Sequence, residues 1–331
     1  MIQNAGSANA YRELLDKNRG YKEFCRQFED NVASHAYILE STDKLSFVDL
    51  LLCCASKVLQ NTTSDATALV LARTHPDVEI YPEESKKKMS VEDVKNIISS
   101  AYTKPIKANK KVFCIVASSG QSGDVWQNKL LKILEEPPQN VCILIAVQNS
   151  QELLNTVRSR CQIIKIGKFE EEDVASFINK TKNLPIAKSR EIARLSNGSI
   201  EKAQYIAGDS NYMNCLSDVL YLLGNMTSTR NMAQFLPIVA KYKDSYSDFL
   251  EIMQNVLFDA YLIGRNDAQP LNLFKKDAII KIANLYTDDA LLRSVAEVEK
   301  AKKQLDDYAS YVMVMDGLLL KILEVRYLCR P

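Results

Sequence analysis

The 331-residue sequence predicts an α/β domain built on a parallel sheet, followed by segments that contain only helices. Three observations support this fold class. Short apolar runs alternate with helical patterns in the first half, the central runs are apolar without interruption, and the pattern changes to helices alone after Gly167. Uninterrupted apolar strands are typical of sheets covered on both faces, and their alternation with helices indicates parallel pairing with right-handed crossovers.

The strands and helices of the α/β part can be placed in order along the chain. Strands are predicted at residues 36–39, 77–81, 111–117, 142–147 and 162–166. Helices are predicted at residues 47–59, 91–101 and 126–135. Ser90 and Asp93 form a weak variant of the capping box before the second helix. Pro137 and Pro138 end the third helix, because proline cannot continue a helical hydrogen-bond ladder.

The rest of the chain divides into two helical segments. Short helices are predicted at residues 170–180, 187–195 and 200–207, with a turn at Asn197 and Gly198. From Asn211 onward the helices lengthen, and their apolar residues recur at helical spacing. The predicted domains are an α/β domain at residues 1–168, a three-helix domain at 169–209 and a helical domain at 210–331.

Composition excludes several functional classes. The formal net charge of +1 provides no global field that would draw the protein onto nucleic acid or an anionic membrane. The N-terminus has no apolar core typical of a signal peptide, and apolar runs such as residues 50–56 and 141–147 are too short to span a bilayer. The eight cysteines are scattered, so we expect reduced thiols in a cytoplasmic protein.

Glycine is unusually rare. The chain has 10 glycines in 331 residues, which is about 3%, whereas glycine makes up about 7% of an average protein. A loop that cradles phosphate needs glycines so that its backbone N–H groups can turn toward the anion. The sequence is therefore a poor candidate for a working phosphate loop.

Four ordered motifs carry a resemblance to a known family. They are Ser34-His35-Ala36-Tyr37, the stretch THPDV at residues 74–78, the stretch NKLLKILEEPP at residues 128–138, and Ser159-Arg160-Cys161. Together with the order of the domains, they resemble the delta-prime subunits of bacterial DNA polymerase III clamp loaders. The resemblance implies an AAA+ nucleotide-fold domain, a three-helix lid and an all-α collar domain that joins a ring of related subunits.

Within this resemblance, Arg160 is the expected catalytic residue. The family's S-R-C arginine reaches the ATP bound by a neighbouring subunit, where a planar, permanently charged guanidinium stabilises charge on the transferred phosphoryl group. Ser159 and Cys161 are expected to fix its geometry, and Arg158 could share its role. The alternative is a surface arginine that caps the helix before the strand at Gln162.

The chain's own nucleotide site is expected to be degenerate. Against the pattern G-x-x-x-x-G-K-[ST], both glycines are absent, Ser41 and Ser46 stand in their places, Phe47 replaces the lysine and Val48 replaces the hydroxyl residue. Lys44 is interpreted as solvated surface beside Asp43. No nucleotide or other cofactor is expected to bind, although residual nucleotide binding stays an open question.

Two further losses agree with this. The strand end that carries acidic residues in the family reads Val116-Ala117-Ser118-Ser119, and Asp124 lies too far along the loop to serve. Glu201 stands where the lid motif usually carries an arginine that touches the γ-phosphate. We therefore expect no intrinsic ATPase activity.

Metal and triad chemistry have little support. Many delta-prime relatives carry a four-cysteine zinc module after the first helix, but here Cys53 and Cys54 have no nearby pair of cysteines, so no metal is expected and both thiols are interpreted as core. The two histidines, His35 and His75, are each explained by a motif at the start of a strand.

Two basic clusters leave DNA contact open. They are Lys86-Lys87-Lys88 and the stretch KPIKANKK from Lys104 to Lys111. A solvated loop or helix end explains either one, and contact with phosphates in an assembled loader is the alternative. Sequence-specific recognition is not expected, because the clusters offer no groove-reading helix.

The resemblance implies a stator that assembles with the motor (gamma/tau) and delta subunits and acts through them on the sliding clamp and primed DNA. It would supply Arg160 in trans without hydrolysing ATP itself, as a subunit of the polymerase III holoenzyme. Two alternatives remain: an AAA+ ATPase with an atypical pocket, and an AAA+-fold adaptor outside the replisome. The contact surfaces and the stoichiometry of the ring cannot be predicted from the sequence.

Overall fold

The computed structural model contains two compact units, Met1–Gln204 and Tyr205–Pro331. It describes residues 5–30, 32–60, 65–83, 88–117, 124–208, 210–265 and 275–328. The predicted boundaries at residues 168 and 209 divide the chain more finely and stay predictions.

The first unit is built on a five-stranded sheet in which every pairing is parallel. The strands lie in the order β2-β3-β4-β1-β5. Both central strands, β3 and β4, are apolar and almost wholly buried, which agrees with a sheet covered on both faces. The predicted parallel α/β fold is confirmed. The strand bounds are β1 Ala36–Glu40, β2 Val78–Tyr81, β3 Lys111–Val116, β4 Val141–Val147 and β5 Gln162–Lys165.

Ten α-helices surround or follow this sheet among the described residues, and the last of them, α10, extends past the end of the first unit at Gln204. Their bounds are α1 Ala5–Leu15, α2 Arg19–Glu29, α3 Phe47–Val58, α4 Ala66–Leu71, α5 Val91–Ala101, α6 Asp124–Glu135, α7 Asn155–Arg158, α8 Glu171–Lys182, α9 Ile186–Ser196 and α10 Ile200–Gly208. Helices α3, α5, α6 and α8–α10 lie where they were predicted, within two residues at each end. The prediction did not include α1, α2 or α4, and it gave no bounds for α7, the helix before the strand at Gln162.

Local capping explains where two of these helices begin. Ser90 and Asp93 form a complete capping box at α5, so the pair predicted as a weak variant is fully formed. Asn18 caps α2, because its side-chain oxygen accepts hydrogen bonds from the N–H groups of Gly20 and Tyr21. The same side chain donates to the carbonyl of Gly167 at 2.9 Å, which ties the start of α2 to the end of β5.

Gly20 allows α2 to approach β5 closely. A Cβ atom at this position would lie 2.0 Å from the carbonyl oxygen of Lys165. Since no side chain fits there, a glycine is required for the helix to pack against the edge of the sheet.

The second unit is helical throughout its described residues. Its helices are α11 Ser210–Asn225, α12 Thr229–Met232, α13 Leu236–Ala240, α14 Tyr246–Arg265, α15 Lys276–Ala283, α16 Asp288–Asp306 and α17 Tyr311–Leu328. Most residues of the predicted apolar stripes are buried along α14, α16 and α17, for example Phe249, Leu291 and Leu319. Leu292 and Val312, which were predicted in these stripes, are exposed. Among the described helices, none is both long enough and apolar enough to cross a membrane.

Candidate functional site

The candidate site lies at the carboxyl end of β1, beside the end of β4. These strands are neighbours, yet the chain leaves β1 toward β2 and leaves β4 toward β5, on opposite sides. In open α/β sheets, ligands bind in the crevice opened by such a reversal. Gln148 donates to the carbonyl of Thr42 at 3.3 Å, and the Ser150 N–H donates to Glu40 at 3.0 Å. The loops after β1 and β4 therefore meet where a nucleotide fold would hold its ligand.

The residues at the phosphate-loop positions pack into the protein instead of facing a ligand. Phe47 is 2% exposed and belongs to the core at the start of α3. Ser41 and Ser46 are buried, Val48 is half-buried, and Lys44 is exposed. The Ser41 N–H donates to the carbonyl of β4 residue Val147 at 3.0 Å. The position that a phosphate-binding lysine would take is thus filled by a core aromatic ring.

A carboxylate lies at this loop and bonds to the start of α10. Asp43 is 4% exposed. Its two oxygens accept hydrogen bonds from the Ser199 hydroxyl at 2.5 Å and from the Ile200 N–H at 2.9 Å. Burial raises the pKa of the Asp43 carboxyl, while the hydrogen bonds from Ser199 and Ile200 act in the opposite direction. Asp43 thus places a hydrogen-bonded carboxyl group where a nucleotide fold would hold an anionic ligand.

Glu201 completes the arrangement from the other side. Its Oε2 accepts a hydrogen bond from the Leu45 N–H at 3.2 Å. The residue in the place of the lid arginine therefore bonds to the degenerate loop itself. Two acidic side chains, one on each side, take up N–H groups of the kind that bind phosphates in working sites.

The strand-end position is only partly described. Val116 and Ala117 end β3 and its extension, and the Ala117 N–H donates to the carbonyl of Ala146 at 2.9 Å. Neither has a carboxylate. Ser118, Ser119 and the side chain of Asp124 lie outside the described residues.

Arg160 lies between α7 and β5, at the opposite end of the sheet. Its Nη2 is 2.6 Å from Oε1 of Glu135, the last residue of α6. Its Nη1 donates to the carbonyl of Thr156 at 2.8 Å and to Oγ of Ser159 at 3.3 Å. The side chain remains 34% exposed. The bond to Thr156 is the helix-capping contact of the alternative interpretation, and the remaining exposure is what a trans-acting arginine requires.

The neighbours of Arg160 hold the turn in place. The hydroxyl of Ser159 donates to the carbonyl of Thr156 at 3.1 Å. Cys161 is buried, and this burial raises the pKa of its thiol to about 12. Arg158 donates to the side chain of Asn155 within α7. Ser159 and Cys161 thus have the structural surroundings that their predicted supporting roles require.

The adjacent cysteines on α3 lie in the core. Cys53 and Cys54 are 1% and 0% exposed, and burial raises the pKa of both thiols. Among the described residues, no group of three or more His, Cys, Asp or Glu side chains is arranged to hold a metal ion.

Each of the two histidines makes a polar contact with the backbone of its own unit. His35 lies 3.0 Å from the carbonyl oxygen of Leu134, through Nε2. Nδ1 of His75 accepts a hydrogen bond from the Asp77 N–H at 3.1 Å, and burial lowers the pKa of this imidazole. The Asp77 carboxylate in turn accepts hydrogen bonds from three successive N–H groups, those of Ile106, Lys107 and Ala108, at 2.6–2.8 Å.

The second basic cluster separates into exposed and buried lysines. Lys104 and Lys107 are exposed, whereas Lys111 is 6% exposed and donates to Ser100 and Thr103. Lys86 and Lys87 of the first cluster lie outside the described residues, and Lys88 is exposed.

Sequence reasoning missed the roles of three acidic residues. Asp43, Asp77 and Glu135 were visible only as members of motifs. Asp43 bonds within the candidate site and Glu135 pairs with Arg160, whereas Asp77 holds the segment before β3. For Asp43 a signal existed, since an acid inside a degenerate phosphate loop can replace the anion that the loop has lost. The contacts of Asp77 and Glu135 depend on partners 25–31 residues away and have no local signature.

The sequence is similar to those of known DNA polymerase III subunits. Residues 17–170 match the family described as DNA polymerase III, delta subunit. A DNA polymerase III subunit gamma of Buchnera aphidicola (from Schizaphis graminum) is 29% identical over 156 residues, 46% of this chain and 40% of the relative. The delta' subunit of Haemophilus influenzae is 25% identical over 159 residues, 46% of this chain and 48% of the relative. The chain thus spans less than half of these two relatives.

One relative matches over nearly its whole length. The delta' subunit of the same Buchnera strain is 21% identical over 313 residues, 91% of this chain and 94% of the relative. Among solved structures, a gamma subunit-related protein of Thermotoga maritima covers 97% of this chain and 99% of its own, with 13% identity and a TM-score of 0.40. The resemblance to the DNA polymerase III delta' family, predicted from four motifs, is therefore confirmed by the sequence relatives.

Proposed function

We propose that this protein is a delta'-like stator subunit of a DNA polymerase III clamp loader. It would assemble in the cytoplasm with motor (gamma/tau) and delta subunits, and take part through them in loading the sliding clamp onto primed DNA. The helical second unit would serve as the collar that joins the ring. The protein would hydrolyse no ATP and would act on the ATP of a neighbour.

One observation carries the proposal. The position of the phosphate-binding lysine is filled by the buried ring of Phe47, while the segment Ser159-Arg160-Cys161 is complete and its guanidinium is partly exposed. A protein that neither binds ATP nor acts on the ATP of a neighbour would have no need of such an arginine. A motor subunit would need its own loop, since catalysis of phosphoryl transfer is mostly positioning and electrostatic stabilisation of the bound phosphates.

The role assigned to Arg160 follows from its charge and exposure. A guanidinium stays ionised at all physiological pH values and presents donors in a planar fork that fits phosphate oxygens. Thr156 and Glu135 hold two of its edges, so the direction of the side chain is fixed before any partner arrives. Preorganised donors of this kind stabilise developing charge without a cost of reorganisation during the reaction.

Reconstitution with motor and delta subunits tests the proposal. We expect the chain to co-purify with them and to be required for clamp-dependent ATPase activity, while the isolated chain shows no ATP binding in an equilibrium titration. Micromolar ATP binding by the isolated chain would instead support an ATPase with an atypical pocket. Failure to assemble with either subunit would support an adaptor outside the replisome.

A further inference from the structure

The degenerate loop and the start of α10 are joined by reciprocal hydrogen bonds across 156 residues of sequence. Asp43, from the loop, bonds to the Ser199 hydroxyl and to the first N–H of α10. Glu201, from the first turn of α10, accepts from the Leu45 N–H of the loop. Each side thus supplies a carboxylate to donors of the other. We call these four bonding residues and the Ile200 N–H the carboxylate latch.

Asp43 meets α10 where the electrostatics favour an anion most. The N-terminus of a helix carries orphan N–H groups and the positive end of the helix dipole. Ser199 caps α10 by accepting from the Lys202 N–H at 3.1 Å, and its own hydroxyl proton points to Asp43. Asp43 takes up the Ile200 N–H as well. The buried carboxylate is therefore compensated by a hydroxyl, a backbone donor and the dipole of a nine-residue helix.

Two other contacts support the same connection. The carbonyl of Gly198 accepts from the Phe169 N–H at 3.0 Å, and a Cβ at Gly198 would lie 2.6 Å from the Phe169 carbonyl oxygen. Tyr11 of α1 is 1% exposed, and its ring centroid lies 6.5 Å from those of both Phe169 and Phe177. The turn before α10 is thus held against Phe169, which itself packs on Tyr11.

We propose that the carboxylate latch is a built-in substitute for a bound nucleotide, which holds helices α8–α10 against the sheet without any ligand. In a nucleotide-dependent protein, the phosphates bridge the loop and the lid, so this connection changes with the state of the ligand. Here Asp43 and Glu201 bridge them permanently. The inference concerns the isolated chain and does not depend on the clamp-loader role, because a protein outside the replisome could carry the same latch.

Hydrogen–deuterium exchange on the full-length chain tests it directly. The Ile200 and Leu45 amides are the reporters, since each donates to one carboxylate of the latch. In the wild type we expect both to be protected and their exchange to be unchanged by Mg·ATP. In Asp43→Ala and Asp43→Asn, exchange across residues 197–204 should rise by about tenfold to a hundredfold, the range that corresponds to losing a hydrogen bond to an ionised group.

The controls separate the latch from general loss of stability. Asp30→Ala removes an exposed carboxyl of the same unit and should leave exchange at residues 197–204 unchanged. If Asp43→Ala does not fold, Glu201→Ala removes the acceptor of the Leu45 N–H and should raise exchange at Leu45. Ser199→Ala removes the hydroxyl that bonds to Asp43 and accepts from the Lys202 N–H, and it should raise exchange at Ile200. Protection that appears only with Mg·ATP, or latch variants that exchange like Asp30→Ala, would overturn the inference. Neither result would bear on assembly with clamp-loader subunits, which the reconstitution tests separately.

Discussion

Nη2 of Arg160 lies 2.6 Å from Oε1 of Glu135, so the residue proposed to act in trans forms an ion pair within its own chain. Glu135 ends α6, and Arg160 follows α7, where its Nη1 bonds to the carbonyl of Thr156. The guanidinium is held from two helices, yet 34% of the side chain is exposed. These contacts fix the direction of the Arg160 guanidinium, and its exposed part remains accessible to a partner.

Substitution of Arg160 is expected to impair ATP hydrolysis by the neighbouring subunit. For Arg160→Ala we expect a loss of about a thousandfold or more at that site, because an arginine finger contributes this much to the turnover of the nucleotide it touches. The steady-state ATPase activity of the whole loader should fall by the share of that site. Arg160→Lys should recover little, since an ammonium lacks the planar fork.

The control is Arg190→Ala, which removes an exposed arginine paired with Glu172. This variant should assemble with the motor subunit as the wild type does. A loader that contains it should have the ATPase activity of a loader that contains the wild-type chain. An Arg160→Ala chain that supports full clamp-dependent ATPase activity would contradict the finger assignment.

Glu135 is predicted to position Arg160. Glu135→Gln should change the free energy of unfolding by less than about 1 kcal/mol, because a half-exposed ion pair contributes little to stability. The rate of ATP hydrolysis in trans should nevertheless fall by a few-fold, since the guanidinium would sample more orientations. Glu136→Gln, which changes the adjacent exposed carboxyl, is the matched control. A faster rate in Glu135→Gln would mean that the ion pair restrains Arg160 instead.

Asp77 should make stability depend on pH in the acid range. Burial alone would raise the pKa of this carboxyl, but the N–H groups of Ile106, Ala108 and Lys107 together outweigh it and lower the pKa. A lowered folded-state pKa gives stability that is fully present above the unfolded value of about 3.9 and is lost as the pH falls through the folded value. Asp77 therefore stabilises the protein at neutral pH.

The variant Asp77→Asn is expected to lose about 2–4 kcal/mol of unfolding free energy at pH 7, since three buried donors lose an ionised acceptor. Denaturant titrations of both proteins check this, and the difference between them should shrink below about pH 4. Asp16→Asn, at an exposed carboxyl, should behave like the wild type. A difference that stays constant down to pH 3 would contradict the assignment.

Gly20→Ala should be strongly destabilising. The added Cβ would lie 2.0 Å from the Lys165 carbonyl oxygen, which is backbone and cannot rotate away. We expect a loss of about 3 kcal/mol or more, because α2 must move off the edge of the sheet. Gly167→Ala is the control in the same unit, since its Cβ would meet nothing within 4 Å. Chemical denaturation of the two variants separates a steric clash from a general effect of alanine.

Strands β1, β3 and β4 were predictable because their buried residues form continuous apolar runs in the sequence. β4 is buried at all seven positions and stood out as such a run. Helices α1 and α2 were not predicted, although α2 carries Tyr21, Phe24 and Phe28 at helical spacing after its N-cap, Asn18. The packing of α2 depends on Gly20 meeting a strand about 145 residues later. No local pattern encodes that meeting.

For the site, sequence reasoning could establish which groups are missing and could not establish what replaces them. The sequence alone shows that Phe47 stands where the phosphate-loop pattern has a lysine. That Asp43 would bond to Ser199, and Leu45 to Glu201, depends on how the folded chain brings together residues 156 positions apart. The same holds for Glu135 and Arg160, whose pairing follows from the packing of α6 against α7.

The parallel pairing of β1 with β5 gives the molecule a direction. Tyr37, near the start of β1, pairs with Gln162, two residues after Arg160, so the arginine lies at the amino end of the sheet and the closed loop at its carboxyl end. In a head-to-tail row of related domains, each would offer an arginine on one side and a nucleotide on the other. Under the proposed function, a member that supplies an arginine and holds no nucleotide would suit the terminal position of such a row.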